Sequence, residues 1–430
     1  MFTPSPRRTR ATAGALAAAL GLTLAACSDG SSGADPAPAD EEVELVLWLQ
    51  RDEFLPSDSF EAFEAEHENI TVRTVTIPAE EQVSSFLLSS AAGDAPDVLM
   101  PTTDLWPPLA QEGALYDMTD LLQTWEEEDP EGFANAATGI AFGTAADGVT
   151  YGVGMTGAPT WMVYRTDWFA DAGIDEPQTY DELLEAARTI QDEHPDMTPF
   201  GIVGGRAASP AAKFLTLFYM MGGTQVDGVP QFDSEAGIYL LEYYQTLMRE
   251  GLASNDTLAW TSDQTRGSFI EGIEGMTMIS QNIYPSIEDS LAFGEEWGVL
   301  PHLTRDGADR LMTFRAVTAL IAGNTEHPYE ASLLVRYLAG EEYGLDISMR
   351  YQPSLNAAVQ ENEEYLAQSP WVPELTEYLA SAQPLPAHAN AAEIYEVIHD
   401  MKQEAIGNPD ADAAAIARDA QEQMDAIASE

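Results

Sequence analysis

Residues 150–190 of this chain, TYGVGMTGAPTWMVYRTDWFADAGIDEPQTYDELLEAARTI, alternate between strand and helix patterns and decide the fold class. The run at residues 161–164 is rich in β-branched and aromatic side chains, which favour strands. A short helix should follow and end at Gly173, because glycine readily adopts the left-handed conformation that closes a helix. Thr179 and Glu182 have the spacing of a capping box, which predicts that a longer helix begins there.

The same alternation continues on both sides of this stretch. Residues 43–49 form a continuous apolar run, and residues 70–77 alternate as a second strand, with helical patterns around them. Strands that alternate with helices predict a parallel α/β sheet. Ligands on such sheets bind beyond the carboxyl ends of the strands. The loops at residues 50–53 and 102–106 are therefore candidate parts of a ligand cleft.

The N-terminal residues have the pattern of a lipoprotein signal. In residues 1–26, three arginines precede an apolar run that is too short to span a bilayer. The letters LAAC end at Cys27, the only cysteine, which we expect to carry lipid. An ordinary signal peptide before a coincidental cysteine is the alternative, and both Sec and twin-arginine export remain open. The acidic segment that completes residues 27–42 would then be a flexible tether.

Charge and motif content exclude several classes of function. The chain has 72 acidic and 18 basic residues, a net charge of −54 that opposes binding to nucleic acid or to an anionic bilayer. Residues 152–157 spell G-x-G-x-x-G, but strand-like residues follow them where a dinucleotide site needs a helix, so we interpret the match as coincidence. Tyr243 and Tyr244 lie in an expected helix, where packing explains them better than iron does. No metal or cofactor is predicted.

Short motifs along the chain occur in an order that resembles the extracellular solute-binding proteins of ABC importers, the sugar-binding, maltose-binding-protein-like kind. The chain departs from the family pattern at Gly154, Arg165 and Tyr180, where the family has Pro, Asn and Trp. The resemblance extends from residue 43 to about residue 407 and is carried by Ala92-Gly93-Asp94-Ala95-Pro96-Asp97-Val98, Tyr151-Gly152, Tyr164-Arg165-Thr166-Asp167-Trp168-Phe169, Ala172-Gly173-Ile174 and Thr179-Tyr180-Asp181-Glu182-Leu183.

This resemblance implies a periplasmic-binding-protein-like α/β fold with two discontinuous lobes, a hinge and a ligand cleft between the lobes. The N-terminal lobe would hold residues 43–152 and 302–350, and the C-terminal lobe residues 153–301 and 351–430. The implied function is capture of a carbohydrate, with an oligosaccharide expected, by hinge closure, followed by delivery to a membrane permease. A monomer without enzymatic activity is expected, anchored by its lipid to the extracellular face of the cell membrane.

The expected ligand-binding residues lie in the cleft segments of the family or in loops that follow strands. Asp104 matches an acidic residue that bonds sugar hydroxyls in the family's sugar binders. Trp48 could equally belong to the core, and Arg51 and Arg315 could bond ligand or offset acids. The full set of expected ligand-binding residues is Trp48, Gln50, Asp52, Asp104, Trp106, Thr156, Trp161, Asn282, Tyr284 and Arg315.

Two other functions stay open at the level of sequence. The first is a surface carbohydrate-active enzyme, since the many carboxylates supply numerous pairs of the kind that hydrolyse glycosides. The second is a binding protein for a cationic ligand such as a polyamine, for which an acid-lined aromatic box is suitable.

Overall fold

Strands and helices alternate along most of the chain, as the sequence predicts. The computed structural model describes residues 36, 41–145, 147–206, 208–301, 303–305, 312–380, 382–384, 388 and 390–429. The expected signal peptide and Cys27 lie outside this part, as does most of the expected tether. Within it, no helix combines the length and the apolar character that crossing a membrane requires.

The strands are β1 (Val43–Leu49), β2 (Ile70–Thr76), β3 (Val98–Leu99), β4 (Gly152–Gly157), β5 (Thr160–Tyr164), β6 (Thr198–Gly201), β7 (Gln225–Val226), β8 (Val229–Pro230), β9 (Glu274–Ser280), β10 (Gly298–Leu300), β11 (Met312–Phe314), β12 (Ala316–Ile321) and β13 (Ala382–Pro384). The helices are α1 (Glu61–Glu66), α2 (Ala79–Ala92), α3 (Pro107–Gln111), α4 (Thr119–Glu128), α5 (Pro130–Asn135), α6 (Ala137–Phe142), α7 (Thr166–Ala172), α8 (Tyr180–Glu193), α9 (Ala208–Met220), α10 (Glu235–Arg249), α11 (Ser262–Ile270), α12 (Tyr284–Glu288), α13 (Pro328–Ala339), α14 (Glu341–Arg350), α15 (Ala357–Gln360), α16 (Glu363–Gln368), α17 (Val372–Leu379), α18 (Ala391–Gly407) and α19 (Ala413–Ala428). Short 3₁₀ helices occupy Asp52–Phe54, Asn255–Ala259 and Gln281–Ile283.

Two β-sheets form the centres of two lobes. The first sheet has the order β2-β1-β3-β12-β4, and the second has the order β10-β5-β9-β6. In the first sheet β1 is parallel to β2 and β3, whereas β12 is antiparallel to both β3 and β4. Because β12 returns to this sheet after the chain has built the second one, the lobes are discontinuous, as predicted.

The chain changes sheet later than the predicted boundary between residues 152 and 153. Strand β4 begins at Gly152 and pairs with β12 in the first sheet, and β5 then begins the second sheet at Thr160. Ala158 and Pro159 form the connection. The segment with the G-x-G-x-x-G letters is thus β4, a fully buried strand rather than a loop that opens a helix. The remaining lobe limits stay predictions.

The stretch that decides the fold adopts its predicted local structure. Gly173 ends α7 with a φ of +65°. At the start of α8 the Thr179 hydroxyl accepts a hydrogen bond from the Glu182 N–H, and the Glu182 carboxylate accepts one from the Thr179 N–H, each at 3.2 Å. The predicted capping box is therefore confirmed, and α8 packs its apolar face into the core of the second lobe.

Most of the tryptophans lie in the cores of the lobes. Trp48 and Trp106 belong to a small core on the first sheet, where Trp48 contacts Phe86 edge-on at 6.5 Å. Trp161 lies in the large core of the second lobe and packs edge-on against Tyr378 at 5.5 Å. Trp48 and Trp161 are buried because their strands, β1 and β5, are covered on both faces, and Trp106 is buried at the start of α3.

Helix α6 lies against β4 at a distance that only glycine permits. A Cβ at Gly139 would stand 2.1 Å from the carbonyl oxygen of Gly154, and a Cβ at Gly143 would stand 1.9 Å from that of Gly152. Both contacts are with backbone atoms, which cannot rotate away. The close approach covers the strand that leads into the connection between the lobes.

We expect Gly139→Ala to destabilise the protein by about 1–3 kcal/mol, since the added methyl group overpacks this contact. Urea unfolding should show a lower midpoint with an unchanged m value. The matched control is Gly267→Ala in α11, where a Cβ would meet nothing within 4 Å. That variant should be stabilised by about 0.5–1 kcal/mol, because alanine favours helix over glycine. Equal effects of the two substitutions would contradict the packing argument.

Candidate ligand-binding site

A cavity of about 200 Å³ lies between the two sheets, where the segments that connect them meet. Loops that follow β1 and β3 form one wall, as the rule for parallel strands predicts. Strands β5 and β9 and helix α9 contribute to the opposite wall, and the connecting segments close the cavity. The lining residues are Gln50, Arg51, Phe54, Thr102, Ala158, Pro159, Thr160, Lys213, Thr216, Ser280, Asn282, Thr313, Phe314, Arg315, Val317, Tyr351 and Gln352.

A buried ion pair lies beside the cavity. The Arg315 Nε–H donates to the Asp104 carboxylate at 2.8 Å, and its Nη2–H donates to the Thr102 hydroxyl at 3.1 Å. From the other lobe, the Tyr395 hydroxyl of α18 donates to the second Asp104 oxygen at 3.3 Å. Burial alone would raise the pKa of Asp104, but the Arg315 charge and the hydrogen bonds more than offset it and lower that pKa. Asp104 is therefore an anion that holds Arg315 in place.

Lys213 reaches the cavity from α9. Its ammonium donates to the Ser262 hydroxyl at 2.9 Å and to the carbonyl of Met278 at 3.2 Å. Burial lowers the pKa of Lys213 to about 8. The only other lysine, Lys402, is buried in the same lobe but does not line the cavity. Its ammonium donates to backbone carbonyls, and burial lowers the pKa of Lys402 to about 7.

Three aromatic rings line the cavity: Phe54 in the loop after β1, Phe314 in β11 and Tyr351 directly after α14. Phe54 and Tyr351 contact each other edge-on, with ring centroids 5.5 Å apart. The Tyr351 hydroxyl interacts with the side chains of Arg51 and Asn282, which belong to opposite walls. Phe314 is the last residue of β11 and, like Phe54, has almost no solvent-exposed area. Rings of this kind offer flat apolar faces, and the amides and hydroxyls around them offer hydrogen bonds.

Three of the expected ligand-binding residues line this cavity: Gln50, Asn282 and Arg315. Asp104 is not on the surface of the cavity, but it holds Arg315 there. The Gln50 amide donates to the Met100 carbonyl at 2.9 Å, which fixes the end of β1 beside β3. Whether these side chains contact a ligand remains a prediction.

Six other expected residues lie outside the lining. Trp48, Trp106, Trp161 and Tyr284 are in the cores, and both Trp161 and Tyr284 have no exposed area. Thr156 is buried in β4 and donates to the carbonyls of Gln352 and Pro353, which follow α14. Asp52 accepts a hydrogen bond from Thr76 and is exposed to solvent, away from the cavity. The aromatic residues that line the cavity are instead Phe54, Phe314 and Tyr351.

Several lining residues were not on the expected list, chiefly Phe54, Lys213, Phe314 and Tyr351. Phe54 follows the loop at residues 50–53 that the sequence marks as part of a cleft, and Tyr351 follows a predicted lobe limit. No periodicity distinguishes a ring beside a cavity from a ring in a core. Lys213 had one sequence signal, since lysine is rare in this chain. In the part of the chain that the structure describes, no group of three histidine, cysteine or carboxylate side chains is placed to hold a metal ion.

Comparisons with known proteins agree with this architecture. A family model described as bacterial extracellular solute-binding protein matches residues 50–344. The chain is 20% identical over 293 residues to Lipoprotein LipO of Bacillus subtilis, a match that covers 64% of this chain and 57% of that one. The chain thus spans little more than half the length of this curated relative.

Solved structures share the fold over nearly their whole length. An ABC transporter solute-binding protein from Thermotoga lettingae, bound with α-D-tagatose, superposes with a TM-score of 0.72 at 20% identity, covering 90% of this chain and 100% of that one. The sugar-binding protein MalE of Xanthomonas citri gives a TM-score of 0.77 at 16% identity, with 90% and 97% covered. At these identities the similarity establishes the fold.

We expect Asp104→Asn to lower the free energy of unfolding by about 2–3 kcal/mol, since it leaves the Arg315 charge without its partner. The loss should be smaller than for a fully buried pair, because the Arg315 side chain is 30% exposed. The pKa of Asp104 is lowered from its usual 3.8, so its contribution is complete above that value and is lost as the pH falls below it and through the lowered pKa of the folded protein. The difference between wild type and variant should therefore shrink below about pH 4. Urea unfolding from about pH 3 to 7 measures it, and a constant difference would contradict the ion-pair assignment.

A second prediction concerns Lys213→Met. Between about pH 8 and about 10.5 the lysine is neutral in the folded protein and protonated in the unfolded chain. The free energy of unfolding of the wild type should therefore rise with pH relative to that of the variant. The gain should approach about 3 kcal/mol, the free energy of a shift of about 2.5 pKa units. The corresponding gain relative to Lys402→Met should begin near pH 7 and should be larger, about 5 kcal/mol, because the pKa of Lys402 is lowered by about 3.5 units. Differences that stay flat over this range would show that neither lysine is desolvated.

Proposed function

We propose, from the premise that this chain belongs to the bacterial extracellular solute-binding proteins, that its interlobe cavity binds a carbohydrate for an ABC importer. One observation carries the proposal. The cavity combines three aromatic rings with amide, hydroxyl and cationic side chains that come from both lobes and from the segments between them. Aromatic rings pack against the apolar face of a sugar ring, while the polar groups bond its hydroxyls.

The volume of the cavity favours a small saccharide in this conformation. About 200 Å³ is below the usual range of ligand pockets, which is roughly 300–1,000 Å³. A monosaccharide or disaccharide therefore fits the proposal better than a long oligosaccharide. The T. lettingae protein of the same fold is described with α-D-tagatose, a monosaccharide.

Binding would favour a closed arrangement of the lobes. Tyr351 interacts with Arg51 of the first lobe and Asn282 of the second, and Asp104 of the first lobe bonds Tyr395 of the second. A ligand that contacts both walls stabilises only the arrangement in which the walls are close. The closed form would then dock on the membrane permease and release the sugar to it.

The two alternative functions have less support. Members of this family are binding proteins, and the described lining residues include no carboxylate, whereas glycoside hydrolysis uses a pair of them. A polyamine is also disfavoured, because the charged side chains of the cavity that the structure describes are three cations: Arg51, Lys213 and Arg315.

We also propose that Cys27 anchors the protein to the outer face of the cell membrane. The LAAC letters that end at Cys27 support this role, and a relative of the chain is named a lipoprotein. A diacylated cysteine has two acyl chains, which is enough for stable anchoring. The Cys27→Ser variant should therefore move from the membrane fraction to the soluble fraction.

Tyr351→Ala should weaken saccharide binding at least tenfold, since it removes a ring and a hydroxyl that touches both walls. Thermal-shift screening against monosaccharides and disaccharides, followed by calorimetry of the hits, measures this; a ligand at 100 times its dissociation constant adds about 2.7 kcal/mol of stability.

The control for this variant is Tyr239→Ala. Tyr239 also contacts an arginine, Arg305, and donates to a carboxylate, Asp181, but it lies outside the cavity. Its loss should lower stability and leave saccharide affinity unchanged. Equal loss of affinity in both variants would remove Tyr351 from the site, and the absence of any saccharide hit would contradict the proposed function.

A further inference from the structure

We propose that the saccharide bound in this cavity is an acidic one, whose carboxylate is recognised by Arg51 and Lys213. The proposal rests on the proposed function, because it names the chemical class of sugar that the same cavity takes. The two cations come from opposite lobes: Arg51 follows β1 in the first lobe, and Lys213 lies on α9 in the second.

The charge of the cavity is the reverse of the charge of the chain. The chain has 72 carboxylates and only 18 basic side chains, three of which lie in the expected leader. Nevertheless the charged residues among the described lining are Arg51, Lys213 and Arg315, with no carboxylate between them. A cavity for a neutral sugar in so acidic a protein has no electrostatic reason to collect cations. An anionic ligand does provide a reason. The negative charge of the rest of the protein would repel such a ligand, and cations in the cavity would offset that repulsion.

Asp104 accounts for only one of the three cations. Its carboxylate is fully buried and is bonded to Arg315, whose Nη2 also bonds Thr102. This pairing leaves the positive charges of Arg51 and Lys213 to be balanced. A ligand that carries one carboxylate would interact with both of these cations and would balance one of the two remaining positive charges.

Lys213 has the geometry of a cation that is kept for a ligand. An ammonium has three N–H donors, and two of those of Lys213 bond the Ser262 hydroxyl and the Met278 carbonyl. Since Lys213 also lines the cavity, its third N–H is available for a ligand. No described carboxylate pairs with it directly. The nearby Asp263 is paired instead with Arg266 at 3.2 Å. Burial disfavours the charged form of Lys213 and lowers its pKa, and the charge of Asp263 offsets this only in part. A bound carboxylate would offset it further.

Arg51 complements Lys213 from the other wall. It is exposed at the cavity, and its side chain interacts with the Tyr351 hydroxyl. A guanidinium binds a carboxylate through two parallel hydrogen bonds, and such charge-assisted bonds are stronger than neutral ones. A carboxylate held between Arg51 and Lys213 would therefore bind the lobes together as well as select the ligand.

The test uses pairs of sugars that differ only in the acidic group. Calorimetry on the wild-type protein compares D-galacturonate with D-galactose and D-glucuronate with D-glucose, and then digalacturonate with galactobiose. For at least one pair the acidic sugar should bind at least tenfold more tightly than its neutral twin, and this preference should decrease as salt is added.

Variants then assign the preference to particular side chains. Arg51→Gln and Lys213→Met should each reduce affinity for the acidic sugar at least tenfold and should change affinity for the neutral twin less. The matched control is Lys402→Met, which removes the other buried lysine of the same lobe at a position that does not line the cavity. It should leave the acidic preference within about twofold of the wild type. Because Arg51 is exposed, its variant should fold even if Lys213→Met does not.

The possible outcomes separate this proposal from the proposed function. If neutral sugars bind as tightly as their acidic twins, or if Arg51→Gln keeps the preference, the acidic assignment is overturned while saccharide binding stands. Tighter binding of a sugar phosphate than of every uronate would overturn the carboxylate assignment. If no saccharide of either kind binds, both proposals are overturned.

Discussion

The ion pair between Asp104 and Arg315 is the interaction on which the arrangement of the site depends. Asp104 lies in the loop after β3, and Arg315 lies where the chain re-enters the first sheet at β12. Their contact ties together two segments that are far apart in the sequence at the edge of the cavity. Because Tyr395 of α18 bonds the same carboxylate, the pair also joins the two lobes. A buried ion pair adds little net stability but strongly disfavours arrangements that break it, so it specifies position more than it adds strength.

The distribution of charge follows a consistent physical logic. Carboxylates are abundant on the surface, where water and salt screen their repulsion. The scarce lysines are buried in the second lobe, where burial opposes their charge. A lysine at such a position lowers the stability of the folded protein, because an apolar side chain of similar size would pack there without losing the hydration of a charge. Lys213 is a buried lysine that also lines the cavity. A destabilising charged residue at a cavity wall is the pattern expected of a ligand-binding residue.

Backbone contacts at the connection between the lobes add a second constraint. Gly139 and Gly143 let α6 approach the backbone of β4, and Thr156 at the end of that strand bonds the carbonyls of Gln352 and Pro353 in another connecting segment. The rings of Phe54, Phe314 and Tyr351 surround the cavity that these segments close. Helix α6 and strand β4 of the first lobe thus pack closely against the segments that connect the lobes. The orientation of the lining residues depends on that packing.

The sequence by itself determined the local structure and the family. The capping box of Thr179 and Glu182, the helix end at Gly173 and the buried strand β1 all depend on neighbours within a few residues, so their patterns are legible without the fold. The tertiary structure decided which rings face the cavity. Trp161 and Tyr351 are both large aromatic side chains near a lobe connection, but Trp161 lies on a strand covered on both faces, whereas Tyr351 ends α14 between the lobes. The cavity is built from segments that are distant in the sequence, and which side chains meet there depends on how the sheets pack, a property that no local pattern encodes.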